Sequence, residues 1–170
     1  MLLDFKKYIF VFTTLFLSSC RGEDESDLQK IDQVLNIYIK NAAGKDLLNT
    51  NIPGGFTAVR AQDLNADRAL QDIIGISVKK DQDTIAYVDY ATGAVRILKD
   101  SISPSQKMYQ SDFYINLSKI VNKETVTDVD TVKVEYNWSP NLFQVSKVWY
   151  NNKLSFSKVE GQPNIIHIVK

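Results

Sequence analysis

From Leu35 onward, apolar and polar positions alternate with a period of two over short segments separated by turn-forming residues. Leu35, Ile37 and Ile39 alternate with Asn36, Tyr38 and Lys40 ahead of Asn41-Ala42-Ala43-Gly44, which reads as a strand and its turn. Ile52-Pro53-Gly54-Gly55 is a second break. Ile74, Ile76 and Val78 predict another strand, followed by a polar turn over residues 79–83 and a strand from Thr84 to Tyr90. Ala91-Thr92-Gly93-Ala94 separates that strand from Val95-Arg96-Ile97-Leu98. Connections this short favour antiparallel hairpins over parallel crossovers.

The second half continues the pattern with Phe113 to Leu117 and then Val132, Val134, Tyr136 and Trp138, which share one face and are assigned to the core. Ser139-Pro140-Asn141 ends that strand, and Asn151-Asn152 is a two-residue turn between Val145–Tyr150 and Lys153–Ser157. A last strand is expected from Ile165 to Val169, and the only predicted helix is about two turns long, from Leu64 to Asp72. About eight or nine short strands imply a mostly β fold, a single antiparallel β-sandwich of the immunoglobulin-like type, with a small β-barrel as the alternative.

Ahead of this region the pattern changes character. Lys6 and Lys7 precede an apolar run from Tyr8 to Leu17, closed by Leu17-Ser18-Ser19-Cys20. The run is ten residues long, about half of the roughly 20 a membrane-spanning helix needs. Residues 1–19 therefore read as a secretion signal. Leu-Ser-Ser-Cys resembles a lipobox, which implies cleavage before Cys20 and acylation of its thiol with palmitate-type chains; a soluble exported protein with an incidental cysteine is the alternative. Two or more acyl chains suffice for stable membrane anchoring. The polar, acidic run Arg21-Gly22-Glu23-Asp24-Glu25-Ser26-Asp27 has no apolar residue to bury and reads as a tether. The predicted organisation is a signal over 1–19, an acylated cysteine and tether over 20–32, and a β domain over 33–170.

Charge and cysteine content narrow the function classes. Removing Asp4, Lys6 and Lys7 with the signal from 20 acidic and 20 basic residues leaves 19 and 18, so no electrostatic partner is implied. The basic footprint of a nucleic-acid-binding protein is missing. Cys20 is the only cysteine, which excludes internal disulfides and cysteine-based metal sites.

Several segments resemble small, largely uncharacterised surface lipoproteins of the Bacteroidota type. They are Gly44-Lys45-Asp46-Leu47-Leu48-Asn49 with the Pro-Gly loop after it, Asp130-Thr131-Val132 at a strand start, and Trp149-Tyr150-Asn151-Asn152-Lys153-Leu154 at a late hairpin. The resemblance implies a β-sandwich held at the outer membrane. The acidic run after Cys20 resembles the signal that exports such lipoproteins to the cell surface, with a periplasm-facing placement as the alternative.

Candidate chemistry is sparse. His167, the only histidine, lies in a terminal strand, so a catalytic triad has one possible base and no Gly-x-Ser-x-Gly elbow. Asp63, Asn65 and Asp67 have the spacing that opens a calcium loop, but Arg68 stands where glycine is needed and Ile74 where a bidentate glutamate is needed. No metal or other cofactor is implied. Asp81, Asp83, Asp128 and Asp130 could supply a carboxylate pair for hydrolysis, although turn formation accounts for them with less assumption. Trp149 alternates with Lys147 and Asn151, so its indole is a candidate for stacking on a sugar or anchoring a protein, against core packing as the plainer reading. Asp83-Thr84-Ile85, Asp100-Ser101-Ile102 and Asp130-Thr131-Val132 resemble O-glycosylation acceptors, making Thr84, Ser101 and Thr131 candidate modified residues. The expectation is a non-enzymatic, lipid-anchored binding module for a glycan or an envelope protein. A structural component of an envelope complex is the alternative, and a carboxylate-dependent hydrolase stands behind both.

Overall fold

The period-two alternation is realised as strand throughout a computed structural model that describes residues 28–170. The expected secretion signal, Cys20 and the acidic run to Asp27 lie outside the described residues. The strands are β1 (Lys30–Asp32), β2 (Leu35–Lys40), β3 (Ala58–Asp63), β4 (Gln71–Asp72), β5 (Ile76–Lys80) and β6 (Ala86–Tyr90). They continue with β7 (Ile97–Ser103), β8 (Gln106–Val121), β9 (Glu124–Ser139), β10 (Leu142–Tyr150), β11 (Lys153–Ser157) and β12 (Ile165–Val169).

Two sheets pack face to face. The larger runs β1-β10-β9-β8-β3-β4; β1 and β11 share the outer edge of β10, and β3 and β7 share the outer edge of β8. The smaller sheet runs β12-β2-β6-β5. This is the predicted mostly β, two-layer architecture, with its own strand order.

The spine of the larger sheet is the β8–β9 hairpin, each strand 16 residues long, or roughly 50 Å at ~3.3 Å per residue. Asn122 and Lys123 turn it with φ of 52° and 69°, and Asn151 and Asn152 turn β10 into β11 with 48° and 63°. Two successive left-handed residues match the twist of the flanking strands. A bulge between Val145 and Lys147 lets Val145 and Val148 both point inward, although they are three apart.

Inward positions of both sheets form one core. Leu35, Ile37 and Ile39 of the smaller sheet join Phe113, Ile115, Leu117, Val132, Val134 and Tyr136 of the larger. Tyr90 stacks on Phe113 across the interface with ring centroids 4.7 Å apart. The smaller sheet's strands are five or six residues long, so the 16-residue strands of the larger sheet outreach them.

Four expectations are corrected. Residues 64–72 form bends, a turn and β4 rather than a helix. Leu64 and Leu70 are both exposed there, so a helix would have had no apolar face to bury. Ile74 is 96% exposed and lies ahead of its strand, because β5 starts at Ile76. The sandwich is not wholly antiparallel: β1 pairs with β10 and β12 with β2 in parallel. These partners are distant in sequence, so short connections impose no restriction on them. Finally, the folded domain begins within the segment assigned to the tether, since Lys30–Asp32 already pairs along β10.

Candidate functional site

At one end of the sandwich the inner face of the larger sheet continues beyond the core. Register places Ile31, Phe143, Trp138 and Lys107 side by side across β1, β10, β9 and β8. The next row inward holds Val145, Tyr136 and Tyr109. Exposure rises outward along this face, from 1% at Tyr136 to 7% at Phe143 and 63% at Ile31, with Trp138 and Tyr109 half-buried. The sidedness that makes a core here makes an aromatic floor.

Two cavities border Trp138, one over that floor and one at the strand ends, where Asn137, Ser139 and Leu142 alternate to the opposite face of the sheet. One, of about 370 Å³, is lined by Trp138, Tyr109, Phe143 and Ile31 together with Gln33 and Arg96. The other, of about 240 Å³, is lined by Trp138, Ile102 and Leu142 with Lys107, Gln106 and Asn137. The larger falls within the roughly 300–1,000 Å³ typical of small-molecule sites, and the mixture of rings with a few convergent polar groups is their usual chemistry.

The cation over the floor is held by polar side chains near the surface, on a loop fixed from below. The Arg96 guanidinium lies 4.6 Å from the Phe143 ring centroid and 5.4 Å from that of Tyr136. Its Nη2 donates to Gln33 Oε1 and, at 3.2 Å, to Thr92 Oγ1. The loop carrying it is fixed at Val95, whose N–H donates to Asp63 at 2.6 Å and whose carbonyl accepts from buried Ser111 at 2.8 Å. Gly75 allows the loop to approach, because a Cβ there would sit 2.0 Å from the Thr92 carbonyl oxygen. On the other side of the floor, Lys107 Nζ rests 4.9 Å from the Trp138 ring centroid. Among the described residues neither cation is ion-paired, and no Asp or Glu lines either cavity.

The structure distributes the sequence candidates elsewhere. Trp149 lies half-buried on the opposite, outward face of β10, with Lys133 Nζ 4.3 Å from its ring centroid and Leu154 as its register partner. It is not packed in the core, and it lines neither cavity. Trp138, expected in the core, is partly buried and packs against the core's edge, and it also lines the two cavities. Thr84 is exposed in the β5–β6 turn with φ of 64°, and Ser101 is exposed on β7. Thr131 is half-buried, and its N–H donates to Asn151 Oδ1 at 2.8 Å. His167 is exposed on the edge strand β12 and stacks on Tyr38 at 5.2 Å. Cys20 lies outside the described residues.

The carboxylates have structural partners. Asp63 is buried and accepts from the N–H groups of Asn65 and Val95, so its oxygens face backbone donors. Among the described residues no group of three or more His, Cys, Asp or Glu converges as metal ligands. Asp81 accepts from the N–H groups of Asp83 and Ile85 and from the Tyr38 hydroxyl, at 3.0, 2.9 and 3.1 Å. Burial, reinforced by that bond to Asp81, raises the Tyr38 phenol above its ordinary pKa. Asp128 and Asp130 both meet Lys170, at 3.4 and 2.6 Å. Asp130 also accepts from the Tyr150 hydroxyl at 2.6 Å and the Asn151 amide at 2.7 Å. Burial by itself would raise the Asp130 carboxyl, but these donors and the Lys170 charge outweigh it and hold the pKa low.

Periodicity could not reveal the groove, because Trp138 has the same parity as the buried Val132, Val134 and Tyr136. One signal was available: Arg96 interrupts the apolar run Val95-Arg96-Ile97-Leu98. Compared with protein-family models, curated proteins and solved structures, the chain shows no match. The groove's chemistry is therefore the ground for a functional reading.

Proposed function

We propose that this chain is a lipid-anchored envelope protein, tethered to the outer membrane through Cys20, whose β-sandwich binds a glycan in the groove around Trp138 without catalysing a reaction. The observation that carries the reading is that Trp138 lines two cavities that also hold amides: Gln33 in one, Gln106 and Asn137 in the other. An aromatic face accepts the C–H side of a sugar ring, and the amides match its hydroxyls. The acidic run from Glu23 to Asp27 supports a surface-facing placement. Accessible Thr84 and Ser101 fit O-glycosylation better than Thr131, whose neighbourhood is tied to Asn151.

Screening the full chain in detergent against a glycan array tests the site. Trp138→Ala is expected to abolish the binding found for the parent and Trp149→Ala to retain it; the reverse pattern removes the groove from consideration. Cys20→Ala is expected to release the protein from the membrane fraction and to end palmitate incorporation, and unchanged fractionation and mass would overturn the anchor.

An envelope-assembly role is the second reading. It is favoured by the β8–β9 tip, which exposes Ile120, Val121, Val126 and Val129. Alternation sets Ile120 and Val129 on one face of the hairpin and Val121 and Val126 on the other, so the hairpin offers apolar side chains to a partner on both faces. Ile120→Asp with Val129→Asp would then release a cross-linkable envelope partner while leaving glycan binding intact.

A further inference from the structure

The two cations of the groove share a setting with Lys119 and Lys133, which also rest on rings, of Phe56 and Trp149, without a carboxylate partner among the described residues, but only Lys107 and Arg96 lie beside the Trp138 cavities. Lys79, Lys158 and Lys170 each meet a carboxylate at 2.6 Å. Lys107 and Arg96 rest instead on the rings of Trp138 and Phe143, with no acidic residue among the described residues that line the cavities. The chain as a whole has equal numbers of acidic and basic residues, so this local excess does not follow from composition.

We infer that the groove selects acidic sugars: a uronate-containing oligosaccharide crosses Trp138, with carboxylates paired to Lys107 in one cavity and to Arg96 in the other. The inference rests on the glycan reading above and adds the charge of the ligand. A cation over an exposed ring is held weakly. A sugar ring can therefore take the Lys107 ammonium's place on the indole, while the flexible side chain swings to a carboxylate. Arg96 is the more rigid partner, since Gln33 and Thr92 orient its guanidinium. A planar guanidinium suits a carboxylate in paired hydrogen bonds. Because the two cations line different cavities that both border Trp138, the ligand spans at least two sugar units.

The test uses the full chain in detergent and isothermal titration with polygalacturonate, alginate, hyaluronan and heparosan. Methyl-esterified polygalacturonate and dextran serve as uncharged counterparts. At least one acidic polymer is expected to bind, with affinity falling as salt rises and dropping at least about tenfold on removal of its charge, by methyl esterification for polygalacturonate. Lys107→Ala and Arg96→Ala are each expected to weaken that binding about tenfold. Lys107→Arg is expected to retain it. Equal affinity for charged and uncharged polymers overturns acidic selectivity and leaves glycan binding standing. The same follows if none of the four acidic polymers binds while a neutral glycan binds in a Trp138-dependent way. If no glycan of any charge binds, both readings fall together.

Discussion

The inner face of β9 leaves the aliphatic core at both ends, and the two exits are built differently. At one, Asp130 is 4% exposed and its oxygens accept from Lys170, Tyr150 and Asn151. At the other, Trp138 is half-buried beside two cavities, with Lys107 and Arg96 lying on aromatic rings and, among the described residues, no acidic one lining either cavity. The closed end satisfies its buried charge internally, as a buried carboxylate must. The open end leaves positive charge and ring surface facing solvent. That asymmetry between a closed polar network and an open aromatic groove, rather than any catalytic signature, is what motivates the proposed site.

The largest expected effect lies at the closed end. Asp130→Ala leaves the Lys170 ammonium and the Tyr150 hydroxyl without their carboxylate, and should cost about 3 kcal/mol in urea unfolding. The pH dependence has a definite sign. The folded-state pKa of Asp130 is depressed, so its contribution is complete above the unfolded value of about 4 and is lost as pH falls through the folded value. Asp32 behaves likewise: burial would raise its pKa, but Lys158 and Asn164 lower it. Unfolding midpoints measured from neutral pH down to about 2 should therefore fall on the acid side. Asp130→Asn should flatten that fall, and an unchanged acid limb would show that the network is not pinned by ionised Asp130.

An intermediate effect is expected where the open end meets the scaffold. Gly75→Ala drives a methyl group against the Thr92 carbonyl and forces the loop that carries Arg96 to move. The stability cost should be about 2 kcal/mol, accompanied by loss of binding in the groove. Retention of both native affinity and native stability would mean that the loop does not position Arg96. The smallest effect belongs to the floor itself. Trp138→Ala should cost only about 1 kcal/mol, because the indole is half-buried and its cavities are already open. A cost of about 4 kcal/mol, typical of a core aromatic, would erase the distinction between the ends.

Much of the sandwich was legible before the structure. Strict alternation at Leu35–Lys40 became β2, Asn151-Asn152 became the left-handed turn between β10 and β11, and Ile165–Val169 became β12. Such features depend on neighbours in sequence, where side-chain parity and turn chemistry act directly. Failures arose where a distant partner decided the outcome. Residues 30–32 fell within the expected tether, yet β10 offered them an edge. Leu64 and Leu70 had no surface to pack against, and the segment between them did not become helical. Both tryptophans illustrate the same limit: Trp149 faces outward, and Trp138 shares the core's parity but not its cover.

By itself the sequence determined which residues alternate, where hairpins turn and that the fold is β, because these follow from local sterics and from the burial of one face. Its leader and lone cysteine also motivate the proposed anchor. Only the tertiary structure decided that the face ends in a closed polar network at one exit and an open aromatic groove at the other. Parity tells a side chain which side of its sheet to occupy, whereas burial depends on how far the opposing sheet reaches, and no period within a strand encodes that length.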